Sequence, residues 1–317
     1  MTPKRSVVMI VGPTASGKSR VAIELALRLG GEIVSADSRL LYRGLDIGTD
    51  KPSLGQRNRV PHLLIDVADP RETWSLARYC GAATAAIEAI LTRGSLPIVV
   101  GGTGQYVRAL LQGWSLAPGA IDPEVRDGWQ QLADRLGSDA LYAMLAETDP
   151  ASATRIDPRN VRRVIRALEI HQITGIPASR QRRRASVPFR YLVFGLSLPR
   201  EELYRRLDAR LDEMLRQGLV AEVEQLLAAG VPPDAPSLSA IGYAQIVRHV
   251  QGVCSLEEAV AEVRRQTRSL VRHQANWFRP DDPNIQWFLS RDGVEVELAD
   301  SIRAQVSSDR PMRPDPA

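Results

Sequence analysis

The stretch Ser6–Ser19 reads SVVMIVGPTASGKS. Its first six residues are mostly apolar and predict a buried β-strand, and the next eight form a complete G-x-x-x-x-G-K-[ST] phosphate loop. From Val21 onward, apolar residues recur with a period near 3.6, which predicts a helix directly after the loop. Strand, loop and helix in this order are what phosphate binding by this motif requires. The sequence therefore predicts a P-loop NTPase-like α/β fold with a parallel sheet flanked by helices.

Each position of the loop has a chemical task. Gly12 and Gly17 let the backbone curl so that successive N–H groups face one centre, and the helix dipole adds positive potential there. Lys18 supplies a point charge to phosphate oxygens, and the Ser19 hydroxyl can complete the shell of a Mg²⁺ ion bound mainly by phosphate and water. We expect a diphosphate group to be held by the loop residues Gly12, Pro13, Thr14, Ala15, Ser16, Gly17, Lys18 and Ser19.

Alternation of apolar strands with amphipathic segments continues over the first 115 residues. It predicts further strands at 32–35, 62–66 and 97–100, and later ones at 191–197 and 285–289. Ligands bind at the carboxyl ends of the strands in a parallel sheet. Asp37 follows the strand predicted at 32–35, and the Gly101–Gly104 turn with Thr103 follows the strand predicted at 97–100, so both are candidate ligand-binding positions. Asp37 is either a general base, an outer-sphere magnesium ligand or a turn aspartate. The glycine turn is either a second phosphate contact or simply a tight turn.

A helical pattern from about residue 121 to 175 predicts an inserted subdomain. We expect the catalytic core at 1–118 and 189–300, a helical nucleic-acid-binding insert at 119–188, and a disordered tail at 301–317. Residues 151–190 contain ten arginines against Asp157 and Glu169, a balance of +8 in a chain of formal charge +4. A second basic stretch lies at 262–279. Such local charge indicates either a polyanion such as RNA or a solvated helix face.

The composition excludes other classes. No apolar run approaches the roughly 18 residues of a membrane span, so we expect a cytoplasmic protein. Two cysteines and four scattered histidines argue against a zinc site or a disulfide framework. We take a monomer as the default. On these residues alone a small-molecule kinase of the phosphate-loop class and a non-catalytic RNA-binding protein remain open.

Motifs along nearly the whole chain resemble the tRNA dimethylallyltransferases, also called isopentenyl transferases. The matching segments are GPTASGKS (12–19), SADSRLLYRG (35–44), DIGTDKP (46–52), HLLIDVADP (62–70), GGTGQYVRALL (101–111), RALE (166–169), GLVAEVE (218–224), IGY (241–243) and WFR (277–279).

The resemblance implies transfer of a dimethylallyl group from dimethylallyl diphosphate to N6 of the adenine 3′ to the tRNA anticodon. The loop would then hold the prenyl diphosphate with Mg²⁺ in place of ATP, and the anticodon stem-loop would be the partner. Asp37 (general base), Thr103 and Lys18 are the implied catalytic residues. The implied tRNA-binding residues are Asp37, Ser38, Arg39, Leu40, Thr103, Arg126, Arg162, Arg163, Arg166, Arg272, Trp277 and Arg279.

Three positions depart from the family pattern. Leu40 stands where the family often has glutamine, Gln105 where it often has an apolar residue, and His273 where it usually has arginine. The last substitution weakens the expectation of an RNA or diphosphate contact at that position.

Overall fold

A computed structural model describes residues 4–115, 122–181, 183–184 and 186–307. The chain divides into two compact units, which are described separately. The first unit comprises residues 1–75, 79–111 and 187–317, and the second comprises residues 76–78 and 112–186. In the described ranges no helix is both long and apolar enough to cross a membrane.

Eight strands are present in the described chain: β1 Ser6–Val11, β2 Gly31–Ser35, β3 His62–Leu63, β4 Leu96–Val100, β5 Trp114–Ser115, β6 Arg183–Arg184, β7 Arg190–Ser197 and β8 Ile285–Leu289. Six of them form one parallel sheet in the order β3-β2-β4-β1-β7-β8, and β5 pairs with β6 antiparallel. Met9 on central β1 lies opposite Val99 of β4 and Val193 of β7. Both faces of β1 are covered, which explains its unbroken apolar run.

Within the same described ranges there are fourteen helices: α1 Lys18–Leu29, α2 Leu54–Arg59, α3 Leu76–Thr92, α4 Gly104–Gln112, α5 Pro123–Leu136, α6 Ser138–Thr148, α7 Pro150–Ala153, α8 Val161–Thr174, α9 Ala178–Gln181, α10 Arg200–Arg216, α11 Leu219–Ala228, α12 Tyr243–Val250, α13 Leu256–Trp277 and α14 Val294–Ser307. Helix α13 begins with a capping box, because the Ser255 hydroxyl accepts from the Glu258 amide and the Glu258 carboxylate accepts from the Ser255 amide.

The prediction of a disordered tail is wrong for residues 301–307, which belong to α14. Val294, Leu298 and Ile302 recur every four residues and are buried in the core cluster that also contains Val21 and Leu25 of α1. Burial of this apolar stripe stabilises the helix. Residues 308–317 of the predicted tail lie outside the described residues.

The strand predicted at 62–66 is also too long. Pairing with β2 stops at Leu63, because Leu64 and Asp66 have φ values of 62° and 57°. These left-handed conformations cannot continue an extended strand.

The second unit has its own core beneath α8. Val164, Ile165 and Leu168 are at most 3% exposed and pack with Leu141 and Leu145 of α6. One side of α8 is therefore packed, while Arg162 and Arg163 of the same helix are exposed.

Candidate active site

The phosphate loop connects β1 to α1 through left-handed backbone conformations. Gly12, Ala15 and Gly17 have φ values of 143°, 63° and 84°. A β-carbon on Gly12 would lie 2.4 Å from the Leu196 carbonyl oxygen, so only glycine fits there. The hydroxyl of Ser16 is fully buried and has no hydrogen-bond partner among the described residues. A buried polar atom without a partner costs free energy, which a bound anion would recover.

Lys18 is enclosed at the start of α1. Its ammonium donates to the Pro13 carbonyl at 2.5 Å across the loop. Burial lowers its pKa from 10.5 to about 8, the negative charge of Asp37 partly offsets this, and the positive charge of Arg210 lowers it further. The first amides of a helix have no intrahelical acceptor, and no side chain caps α1 at Gly17. The start of α1 thus presents an ammonium and first-turn amides that lack an intrahelical acceptor, and both suit a diphosphate.

Asp37 and Thr103 follow neighbouring strands and are brought together. The Ser38 amide donates to the Thr103 hydroxyl oxygen at 3.1 Å, and the Thr103 amide donates to the Ala36 carbonyl at 3.3 Å. Because the hydroxyl oxygen accepts this bond, its own proton is free to be donated to a ligand. Oδ1 of Asp37 accepts the Arg39 amide at 2.9 Å, while Oδ2 has no hydrogen-bond partner within the described ranges. Asp37 is therefore a turn aspartate whose Oδ1 is used within the turn, and its Oδ2 can accept a hydrogen bond or a proton from a ligand.

Arg39 and Leu40 are held by the protein itself. The Arg39 guanidinium donates to the Pro236 carbonyl at 2.8 Å, and the Leu40 carbonyl accepts the Asp66 amide at 3.1 Å. Both residues are partly buried. Of the two, only Arg39 has further guanidinium N–H groups that could reach an RNA ligand.

Helix α13 contributes a residue that the sequence analysis missed. The Gln274 carboxamide bonds both to the Thr14 amide at 2.8 Å and to the Gly102 carbonyl at 3.0 Å. Gln274 is 8% exposed and lies on the same side of α13 as the buried Val263 and Val271. A polar residue in this otherwise apolar stripe is the sequence signal that could have identified it.

The predicted RNA-binding residues Arg272, Trp277 and Arg279, at the C-terminal end of α13 and just after it, differ in their contacts. The Trp277 ring packs against Gly104, and the Arg108 guanidinium lies 5.2 Å from its centroid. Arg279 forms a 2.9 Å ion pair with Asp281, whereas Arg272 is exposed without an ion-pair partner in the described chain. Much of the second basic stretch is neutralised locally, because Arg264 and other arginines of α13 pair with acidic residues.

In the second unit, a buried carboxylate orders two of the predicted arginines. Oε2 of Glu169, which is 0% exposed, accepts from Arg126 and from Arg166, each at 2.9 Å. Arg162 and Arg163 are exposed on α8, with no ion-pair partner among the residues that the structure describes. The unit therefore presents a cationic helix face suited to a phosphate backbone.

No group of three or more His, Cys, Asp or Glu side chains that could hold a metal occurs in the described ranges. The Ser19 hydroxyl is exposed at the first turn of α1. Such a donor fits a metal whose remaining ligands come from the substrate and water, as Mg²⁺ accepts.

The parallel sheet and the loop at the end of β1 place the protein in the phosphate-loop class of α/β proteins. Residues 40–281 match the family model described as IPP transferase, and the chain belongs to this family. It is 51% identical to the tRNA dimethylallyltransferase of Thermomicrobium roseum, with 95% of this chain and 92% of that protein covered. The tRNA dimethylallyltransferase of a Roseiflexus species is 49% identical, with 86% and 89% covered.

Solved structures agree with this assignment. The tRNA isopentenylpyrophosphate transferase of Bacillus halodurans superposes with a TM-score of 0.72 at 37% identity, covering 96% of this chain and 98% of that one. A eukaryotic dimethylallyltransferase acting on tRNA superposes with a TM-score of 0.78 at 27% identity, covering 98% and 81%. The predicted P-loop fold and the predicted family are thereby confirmed.

Proposed function

We propose that this protein transfers a dimethylallyl group from dimethylallyl diphosphate to N6 of the adenine that follows the tRNA anticodon on its 3′ side, releasing diphosphate. The observation that carries the proposal is that Asp37 and Thr103, which follow β2 and β4, are brought together at the sheet edge where β1 enters the phosphate loop with Lys18. A base for the nucleophile and a cation for the leaving group then occupy one site. Family membership supports the same reaction.

Departure of the diphosphate concentrates negative charge on its oxygens. The ammonium of Lys18, the amides of the first turn of α1 and the Ser16 hydroxyl line the loop that would receive it. Preorganised donors of this kind stabilise developing charge without reorganising. When bound by Ser19 and the diphosphate oxygens, Mg²⁺ would neutralise part of that charge.

The exocyclic amine of adenine is a weak nucleophile and must lose a proton as the new C–N bond forms. Oδ2 of Asp37 lacks a protein partner in the described chain and can accept that proton, while Oδ1 keeps the carboxylate oriented through the Arg39 amide. General-base assistance of this kind contributes about 10² to 10⁴ in rate. The Thr103 hydroxyl, oriented by the Ser38 amide, would donate to the diphosphate or to the base.

The target base has to leave its stack, which costs a few kcal/mol and is cheapest in a single-stranded loop. We expect the anticodon stem-loop to be the binding partner. Arg126, Arg162, Arg163 and Arg166 of the second unit would contact its phosphates, with Arg272 contributing from the first unit. Phosphate contacts position the RNA without reading its sequence. We expect the protein to act as a monomer in the cytoplasm, where its tRNA substrate is found.

The decisive experiment incubates the protein with Mg²⁺, labelled dimethylallyl diphosphate and tRNAs that read codons beginning with U. We expect label on tRNA and an equal amount of released diphosphate. Asp37→Asn keeps the size of the side chain and its bond to the Arg39 amide, so kcat should fall by about 10² to 10⁴.

Asp292→Asn, at an exposed aspartate near the start of α14, is the matched control and should behave as wild type. If the wild-type protein transferred no label to tRNA, the prenyl-transfer proposal would be eliminated. Consumption of ATP with a small acceptor would indicate a kinase instead, and tRNA binding without turnover would indicate an RNA-binding protein.

A further inference from the structure

The Gln274 carboxamide spans the two loops of the site. Its oxygen accepts the Thr14 amide of the phosphate loop at 2.8 Å, and its nitrogen donates to the Gly102 carbonyl of the glycine turn at 3.0 Å. Only one orientation of the amide satisfies both bonds, since the reverse would place two donors and two acceptors face to face. The side chain is 8% exposed, so solvent does not compete for these bonds.

Few side chains could replace this one. Glutamate lacks the donor, lysine and arginine lack the acceptor, and asparagine is one methylene shorter. The position opposite is restricted as well, because a β-carbon on Gly102 would lie 2.7 Å from Nε2 of Gln274. Its other neighbours are at 3.6 Å or more, so the carboxamide alone excludes a side chain there.

The two bonds connect the groups proposed to act on the substrates. Thr14 is within the phosphate loop, Gly102 directly precedes Thr103, and the Thr103 hydroxyl accepts the amide of Ser38 next to Asp37. Gln274 itself sits on a helix of 22 residues that is capped at its start and packed through Val263 and Val271. A rigid element of this kind holds a site more accurately than loops alone.

We propose that Gln274 is a positioning residue, an inference that rests on the proposed prenyl transfer. It fixes the phosphate loop relative to the Gly101–Gly104 turn and so aligns the bound diphosphate with Thr103 and Asp37. Its neutral amide does this without placing a negative charge beside the leaving group. Misplacement of reacting groups by about 1 Å can cost 10²-fold in rate.

Gln274→Ala should lower kcat by about 10-fold to 100-fold, because both bonds that align the two loops are lost and small misplacements of reacting groups have effects of this size. The KM for tRNA should stay within about threefold, because the loops rather than the RNA contacts are disturbed. Gln274→Glu keeps the acceptor but adds charge, and should raise the KM for dimethylallyl diphosphate beyond that of Gln274→Ala. Gln266→Ala is the control on the same helix, where the carboxamide bonds to Gln245 and Glu262.

A double-variant cycle separates positioning from a general packing defect. Gly102→Ala in the wild type should lower kcat about as much as Gln274→Ala, because the new β-carbon displaces the carboxamide. In the Gln274→Ala background the same change meets no atom closer than van der Waals contact and should alter kcat by less than about twofold. Additive effects, or a Gln274→Ala enzyme with the kcat of Gln266→Ala, would overturn the inference.

Two further readouts keep the outcomes distinct. Melting temperatures show whether Gln274→Ala folds. If it does not, the kcat of Gly102→Ala tests the positioning role instead, because the added β-carbon displaces the Gln274 carboxamide from the opposite side. If wild type transfers no label to tRNA, the proposed function fails, and Gln274 is judged on inorganic diphosphate binding. Gln274→Ala should then weaken that binding by about tenfold relative to Gln266→Ala, and equal affinities would overturn the positioning role.

Discussion

Lys18 keeps its positive charge in surroundings that disfavour it. Burial brings the pKa of its ammonium down to about 8, although the Asp37 carboxylate opposes the shift. The ammonium is charged below this pH and becomes neutral above it. A diphosphate bound beside it raises the pKa again, so binding and protonation of Lys18 are linked.

The affinity for inorganic diphosphate should therefore fall as the pH rises above about 8, by up to about tenfold per pH unit. The measurement is a titration at several pH values between about 7 and 9.5, with Lys18→Ala run in parallel. Because the ligand also titrates in this range, the ratio of the two affinities reports on Lys18. A ratio that does not change with pH would show that the charge of Lys18 does not contribute.

Glu222, in the first turn of α11, holds a loop of the first unit. Its carboxylate accepts the amides of Asp46, Ile47 and Gly48 at 3.0, 2.8 and 3.3 Å and the hydroxyl of Tyr243. Burial and the Glu222 charge raise the pKa of Tyr243 well above its usual range, so the hydroxyl stays a donor. Three separate family motifs meet at this one carboxylate, which gives Glu222 and Tyr243 a structural role.

Removing this carboxylate leaves three partly buried amides and the buried Tyr243 hydroxyl without this acceptor. Glu222→Ala should lower the free energy of unfolding by about 3 kcal/mol or more, because each bond to a charged group contributes about 1.5 to 3 kcal/mol. Urea unfolding is the measurement. Glu224→Ala, at an exposed position on the same helix, should stay within about 0.5 kcal/mol of wild type. Equal losses in the two variants would contradict the role assigned to Glu222.

Positive charge is unevenly distributed over the protein. The net charge is +4, yet residues 151–190 alone carry ten arginines and two acidic residues. Paired arginines, such as Arg264 with Asp208 and Asp212, contribute little to an external field. The exposed Arg162 and Arg163 on α8 do contribute, and they are the groups from which binding of RNA would release counterions.

Binding of tRNA should weaken steeply with rising salt. Arg162→Ala should make the slope of log K against log salt shallower by about 0.7 to 0.9, the value for one lost phosphate contact. Filter binding or fluorescence titration at several salt concentrations measures it. Arg205→Ala, at an arginine that is paired with Glu202 on α10, should leave the slope unchanged. An unchanged slope with Arg162→Ala would mean that this face of α8 is only solvated.

Helix α14 shows where a signal was present in the sequence but was overlooked. Its apolar residues Val294, Leu298 and Ile302 recur every four positions, which is typical of a helix packed on one side. The short strand β3 differs, because the left-handed conformations at Leu64 and Asp66 that end it leave no periodic trace in the sequence.

Local sequence alone determined the β1–loop–α1 unit, the caps of α13 and the packed face of α8, because these depend on residues a few positions apart. Asp37 and Thr103 were predicted to lie near the loop, since strands of one parallel sheet bring their carboxyl ends to a common edge. Only the tertiary structure decided that Gln274 bonds to Thr14 across 260 positions, that Glu222 binds the amides of 46–48, and that Glu169 orders Arg126 and Arg166. Such contacts follow from how whole elements pack, and no short stretch of residues contains that information.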